Sequence, residues 1–247
     1  IEEYILRASD LILPISDTMS FQLQERGIPK DKLMTCTLGV NEQLSEHPPN
    51  EIEKTRNKYK LGNNVILYLG TMAKSRNLEF LLDVFNKVRQ SITHTQLLFV
   101  GDAPDAKDVE YLKEKCTERG LSPSEVIFTG RVPRKDVYNY IFTASVCVSP
   151  IPPLPVYEIA SPIKLMDYLN CSKPVVGNKG IVEQEKIINE SRAGFCVEYS
   201  VDDFANAIEY ILNNKEKSIA MGEQGRAYIR ENYSYSAIAT RLVNRYN

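Results

Sequence analysis

Five short apolar runs, each closed by a turn residue, recur along the chain. They read VILYLG at Val65–Gly70, QLLFVG at Gln96–Gly101, VIFTG at Val126–Gly130, VCVSP at Val146–Pro150 and PVVG at Pro174–Gly177. All are rich in Val, Ile, Leu and Phe and lack polar alternation, the pattern of strands buried on both faces of a parallel sheet. Parallel strands need crossovers, normally helices. The intervals predict helices near 78–90, 105–120, 134–143, 162–170, 181–190, 201–213 and 215–232, and a last one over Ser234–Tyr246 after a polar break. In the first of these, Leu78, Leu81, Leu82 and Phe85 form one core-facing stripe. The expectation is an α/β fold with a doubly wound parallel sheet. Ligands of such sheets bind outside the carboxyl ends of the strands, so the polar residues in those loops are the candidates for function.

The leading region departs from this repeat. Residues 1–30 read helix, strand, helix: LILPIS at Leu11–Ser16 is a strand with a proline, Ser16 is a good N-cap for a helix through Glu25, and Gly27 is a good stop. Leu33–Thr37 reads as another strand, and residues 42–64, with Pro48-Pro49, as a connector plus a charged helix. A boundary near residue 41 follows, since the leading strands are too few to bury a core.

Composition narrows the function. A net charge of −2 over 247 residues gives no basic field for nucleic acid. The five cysteines are widely spaced without a CxxC pair, which argues for neither zinc site nor disulfide framework and fits a reduced, cytoplasmic setting. There is no signal peptide and no apolar run near membrane-spanning length. Of two histidines, His47 sits in a Glu-His-Pro-Pro turn and His94 precedes a strand, so histidine-based catalysis within this chain is not expected. Neither a metal nor a cofactor is expected. The chain begins at Ile1 and reads as a fragment of a longer protein.

The strongest site signal is Ser161-Pro162-Ile163-Lys164-Leu165-Met166-Asp167-Tyr168. Ser161 suits an N-cap and Pro162 a first helical position. A helix N-terminus favours an anion, and a cation in the first turn, Lys164, makes sense if a phosphate sits opposite. Ser161, Lys164 and Asp167 recur every three residues on one helix face; the competing reading is a surface Lys–Asp pair on an ordinary helix. The loop Gly70-Thr71-Met72-Ala73-Lys74-Ser75-Arg76-Asn77 closes the first core strand, with Asn77 as a cap. Its Lys74 and Arg76 are either diphosphate contacts or two solvated cations. Gly101-Asp102 and Gly130-Arg131-Val132 are further strand-end loops, the second able to offer backbone groups to a base or to be a plain turn.

Taken in order, these pieces resemble the donor-binding half of the group-1 glycosyltransferases, retaining enzymes of the GT-B fold with two Rossmann-like domains around a cleft. Ala8–Val40 resembles the family's exit from its N-terminal domain. Gly70-Thr71 through Asn77 resembles its phosphate loop, and Val100-Gly101-Asp102, Phe128–Val132 and Lys173–Val176 follow in the family order. Met221–Tyr233 resembles its ending. The resemblance implies a remnant of the N-terminal domain and linker over 1–41, a donor-binding Rossmann-like domain over 42–233 and a C-terminal helix over 234–247. It implies that Asp167 binds the ribose hydroxyls, and that Lys74 or Arg76 with Lys164 neutralises the diphosphate. Arg131 and Val132 would hold the base through the backbone, with Ser161, Pro162 and Ile163 completing the donor site. The family's first carboxylate falls on Ile159, where this chain has Glu158 beside it. The implied activity is transfer of a sugar from a nucleotide-sugar donor to a glycan or lipid-linked acceptor with retention, as in polysaccharide biosynthesis. The acceptor site lies on the missing domain, which would supply any peripheral contact with the inner face of the membrane; the fragment alone is expected to be inactive. A non-catalytic sugar-nucleotide-binding module and a GT-B-like sugar-nucleotide epimerase are the alternatives.

Overall fold

The computed structural model describes residues 1–42 and 49–246. The turn around His47 and the start of the expected connector lie outside the described residues. The helices are α1 (Glu2–Ala8), α2 (Asp17–Glu25), α3 (Pro49–Tyr59), α4 (Glu79–Ser91), α5 (Ala106–Glu118), α6 (Val137–Thr143), α7 (Pro155–Glu158), α8 (Ile163–Asn170), α9 (Val182–Ser191), α10 (Val201–Asn213), α11 (Lys215–Tyr233) and α12 (Tyr235–Tyr246). The strands are β1 (Asn64–Leu69), β2 (Thr95–Val100), β3 (Val126–Phe128), β4 (Val146–Ser149), β5 (Val175–Asn178) and β6 (Gly194–Val197).

The five apolar runs form β1 to β5, and all six strands pair in parallel in the order β3-β2-β1-β4-β5-β6. β1 therefore starts the first half of the sheet, and β4 on its other side starts the second, so the strand order reverses between them. Helices cover both faces. On one, Leu82 and Phe85 of α4 meet Phe204 and Ile208 of α10; on the other, Ile141 of α6, Leu165 and Leu169 of α8, and Ile229 of α11 share a core. Each such side chain, fully withdrawn from water, contributes about 1.5–3 kcal/mol.

Several expectations are corrected. The sheet has a sixth strand, β6, that the apolar runs did not mark. α8 begins at Ile163, not Pro162: Pro162, at φ −81° and ψ 86°, is the N-cap, and no side chain caps the helix. Ser161 is therefore outside the helix. Asn77 does not cap α4 but sits at φ 49° as the left-handed end of the tight turn Lys74–Arg76. The expected leading strands reduce to one parallel bridge, Ile12 to Leu33, flanked by hydrogen bonds from Met34 N–H to the Ile12 carbonyl and Cys36 N–H to the Pro14 carbonyl. Ser16 does cap α2, accepting from Met19 N–H at 3.1 Å, and its hydroxyl donates to the Ile159 carbonyl at 3.1 Å. The leading segment is thus tied to the loop after α7, and the Asp17–Lys186 ion pair at 2.8 Å ties it to α9.

β1 and β4 are paired only at Ile66–Val146 and Leu67–Cys147. Beyond that they separate, and Tyr168 of α8 bridges the gap. Its hydroxyl accepts from Leu69 N–H at 2.7 Å and donates to the Val148 carbonyl at 3.4 Å. Tyr168→Phe should leave Leu69 N–H without this partner and cost about 1–3 kcal/mol. Urea unfolding checks this, and a loss below about 0.5 kcal/mol would contradict the bridging role.

Candidate functional site

The gap between β1 and β4 opens, at their carboxyl ends, into a cavity of about 360 Å3. Its wall includes Gly70 and Thr71 after β1, Arg76 from the following turn, Arg134 before α6, and Ser161, Pro162, Ile163, Lys164 and Asp167 around the start of α8. A larger cavity, about 430 Å3, lies at the opposite strand ends beside Ser145 and Lys173. The Lys173 ammonium there donates to the carbonyls of Phe142 and Ala144 at 2.9 and 2.8 Å, so backbone oxygens already serve it. The first cavity is the one where unserved polar groups converge.

Two strand-end loops shape its floor. Gly70 N–H donates to the Val100 carbonyl at 2.9 Å and Met72 N–H to the Asp102 carbonyl at 3.0 Å. Gly101, at φ 135°, lies so close that a Cβ would collide with the Gly70 carbonyl, so any side chain there would push the loops apart. The loop then turns so that its two cations diverge. Arg76 reaches the cavity and stacks on the Tyr157 ring at 4.9 Å, while the Tyr157 hydroxyl donates to the Ser75 carbonyl at 3.4 Å. Lys74 faces away: its ammonium lies 4.5 Å from the Tyr111 ring centroid, and its backbone N–H donates to the Asp108 carboxylate at 3.1 Å.

Lys164 is half-buried at the centre. Its ammonium lies over the Tyr68 ring at 4.2 Å and has no hydrogen-bonding or ionic partner among the described residues. Burial first, and the neighbouring charge of Arg76 second, pull its pKa down to about 7. Ser161 also lines the cavity, and its Oγ is buried without a hydrogen-bond partner. Beside them lies the uncapped N-terminus of α8, where free N–H groups carry partial positive charge. Three separate features here call for an anion.

Asp167 is 1% exposed. Arg134 Nη1 and Nη2 donate to its two oxygens at 2.7 and 2.8 Å, and the Tyr138 hydroxyl donates to Oδ1 at 2.8 Å. The paired carboxylate holds the Arg134 guanidinium firmly charged. Arg134 is the wall residue that sequence reasoning missed, although it stands three residues after Arg131 in a loop already singled out. The structure thus gathers Gly70, Thr71, Arg76, Ser161, Pro162, Ile163, Lys164 and Asp167 around one cavity. Gly101, Asp102, Arg131 and Val132 lie in adjoining strand-end loops outside its wall, and Val132, partly buried, packs against the core. Lys74 lies off to one side, and Glu158 is exposed at the end of α7, away from the cavity. Among the described residues no cluster of three or more His, Cys, Asp or Glu is arranged to hold a metal ion, and no helix is long and apolar enough to cross a membrane.

The family model described as "Glycosyl transferases group 1" matches residues 63–214. The alpha-D-kanosaminyltransferase of Streptomyces kanamyceticus is 21% identical over 249 residues, covering 99% of this chain and 62% of that protein. A GDP-mannose-dependent phosphatidylinositol monomannoside mannosyltransferase of Mycobacterium tuberculosis is 22% identical over 213 residues, covering 83% and 53%. The crystal structure of Anabaena HepE in complex with UDP and glucose superposes with a TM-score of 0.83 at 18% identity, over 98% of this chain and 64% of that one. That likeness speaks for the fold, the C-terminal half of a GT-B architecture. The chain spans between about half and two thirds of the length of these relatives.

A lysine whose pKa is about 7 when folded and 10.5 when unfolded destabilises the fold fully below pH 7, and the penalty vanishes as pH rises to 10.5. Between these limits the unfolded chain binds more protons, so stability rises with pH. The denaturation midpoint of the wild-type chain should therefore gain on that of Lys164→Met between pH 7 and pH 9.5. Parallel pH profiles for the two proteins would contradict the half-buried, unpaired ammonium.

Proposed function

The chain belongs to the group 1 glycosyl transferases, and from that premise we propose that it is the donor-binding half of an enzyme that moves a sugar from a nucleoside diphosphate to a glycan or lipid-linked acceptor. The observation that carries this reading is Lys164, a half-buried ammonium without an anionic partner beside an uncapped helix N-terminus and Arg76. A diphosphate answers all three. Its oxygens accept from the Lys164 ammonium, the Arg76 guanidinium, the Ser161 hydroxyl and the first N–H groups of α8. The same groups stabilise the negative charge that grows on the diphosphate as the glycosidic bond breaks, without a metal in this reading. The nucleoside extends toward Asp167 and Arg134, with the Arg131-Val132 backbone as the base contact. The nucleotide sugars named with its relatives, the UDP-glucose in complex with HepE and the GDP-mannose on which the mannosyltransferase depends, share a ribose diphosphate and differ in base and sugar.

Transfer with retention of configuration, an acceptor site on the part of the protein preceding this chain, and a cytoplasmic setting belong to the same proposal. Closure of two such halves excludes water and completes the site. Glu158, exposed and off the cavity, favours a second reading, a nucleotide-sugar-binding module without transfer activity. Anomeric analysis by NMR of the product made by the longer protein separates the two: a retained glycoside supports transfer, and donor binding without product supports the module.

The chain should bind UDP or GDP in calorimetric titration, and Lys164→Ala should weaken that binding about ten- to hundredfold, the worth of a charge-assisted hydrogen bond. Unchanged affinity in the variant would make Lys164 an ordinary surface cation and remove the main support for the reading.

A further inference from the structure

Asp167 has little left to give a ligand. A carboxylate offers about four acceptor positions, two on each oxygen. Arg134 Nη2 and the Tyr138 hydroxyl occupy both on Oδ1, and Arg134 Nη1 occupies one on Oδ2. A single position on Oδ2 remains. Two vicinal hydroxyls that both donate to one carboxylate need two, and a buried side chain as short as aspartate cannot advance into the cavity to reach them. Arg134 is in the opposite state. Its side chain is 58% exposed, it lines the cavity, and its Nε–H and the second N–H of Nη1 have no acceptor among the described residues.

We propose that Arg134 is the specificity-determining residue at the nucleoside end of the cavity, and that the Asp167–Arg134 pair reads the ribose diol as one unit. One hydroxyl donates to Asp167 Oδ2. Its neighbour, the ribose 2′-hydroxyl, accepts from the Arg134 guanidinium. A hydroxyl both donates and accepts, so a cis-diol matches the alternating pair as well as it would match a free carboxylate. A deoxy sugar loses one of the two bonds. The planar fork of arginine is needed, because it must hold both carboxylate oxygens and still face the ligand. The inference rests on the donor-half reading, and its test separates the two.

The test titrates UDP, GDP and their 2′-deoxy counterparts into the wild-type chain and into Arg134→Ala, Arg134→Gln and Arg134→Lys. The wild type should prefer the ribonucleotide about tenfold, the scale of one hydrogen bond to a charged group. Arg134→Ala should weaken ribonucleotide binding about ten- to hundredfold and bring the ribo-to-deoxy ratio close to one, and Arg134→Lys should not restore it. Should alanine unfold the chain by removing two of the three donors to the buried carboxylate, Arg134→Gln offers one amide donor beside the Tyr138 hydroxyl and should give the same collapse of the ratio. A ratio kept while both nucleotides weaken equally would make Arg134 a structural strut and overturn the assignment, as would tighter binding in the variant, which would make it a plug. A folded wild-type chain that binds none of the four overturns the donor-half reading and this inference together. Binding without any ribose preference overturns this inference alone.

Discussion

β1 and β4 run side by side only through Leu67 and Cys147, and the rest of the site depends on their parting there. A parallel sheet that winds outward in both directions from a central pair leaves a crevice between that pair, because the connections leave toward opposite faces. Separation strands backbone groups that would otherwise pair, and buried groups of that kind must find partners. The Tyr168 hydroxyl serves both sides, Leu69 N–H and the Val148 carbonyl. Its position on α8 fixes the register of the helix against the crevice. Lys164, one turn earlier, then falls over Tyr68, and Asp167 falls beside Arg134.

Electrostatics follow from that placement. The cavity carries Arg76, Lys164 and Arg134 against one carboxylate, and Arg134 already holds that carboxylate. Without an anion, the site is self-repulsive, and Lys164 answers by giving up its proton near neutrality. An anion reverses this, since opposite charge at close range restores the protonated form. A bound phosphate would therefore add the Lys164 charge to a site that Arg76 and Arg134 already make cationic.

Much of this was legible in the sequence. Continuous apolar runs with β-branched residues marked five strands because burial on both faces leaves no room for polar alternation. Gly194–Val197 escaped because an edge strand of four half-buried residues, GFCV, lacks that signature. Cap chemistry and spacing point to Ser161–Asp167 as a site, yet the helix starts one residue later than they predict because the ψ of Pro162 is not helical. Choosing between Lys74 and Arg76 was beyond sequence reasoning: two residues apart in a tight turn, they face different cavities. Arg134 was invisible as a partner of Asp167, since the two are 33 residues apart and meet only when α6 and α8 pack on the same face of the sheet.

In the proposed function Lys164 is the contact on which diphosphate binding turns. NMR titration of the Lys164 side chain, assigned by comparison with Lys164→Met, tests it directly. The account predicts an apparent pKa near 7 in the free chain, moving upward, toward ordinary lysine values, when UDP or GDP is bound. A lysine that titrates at the same pH with and without saturating nucleoside diphosphate would contradict it.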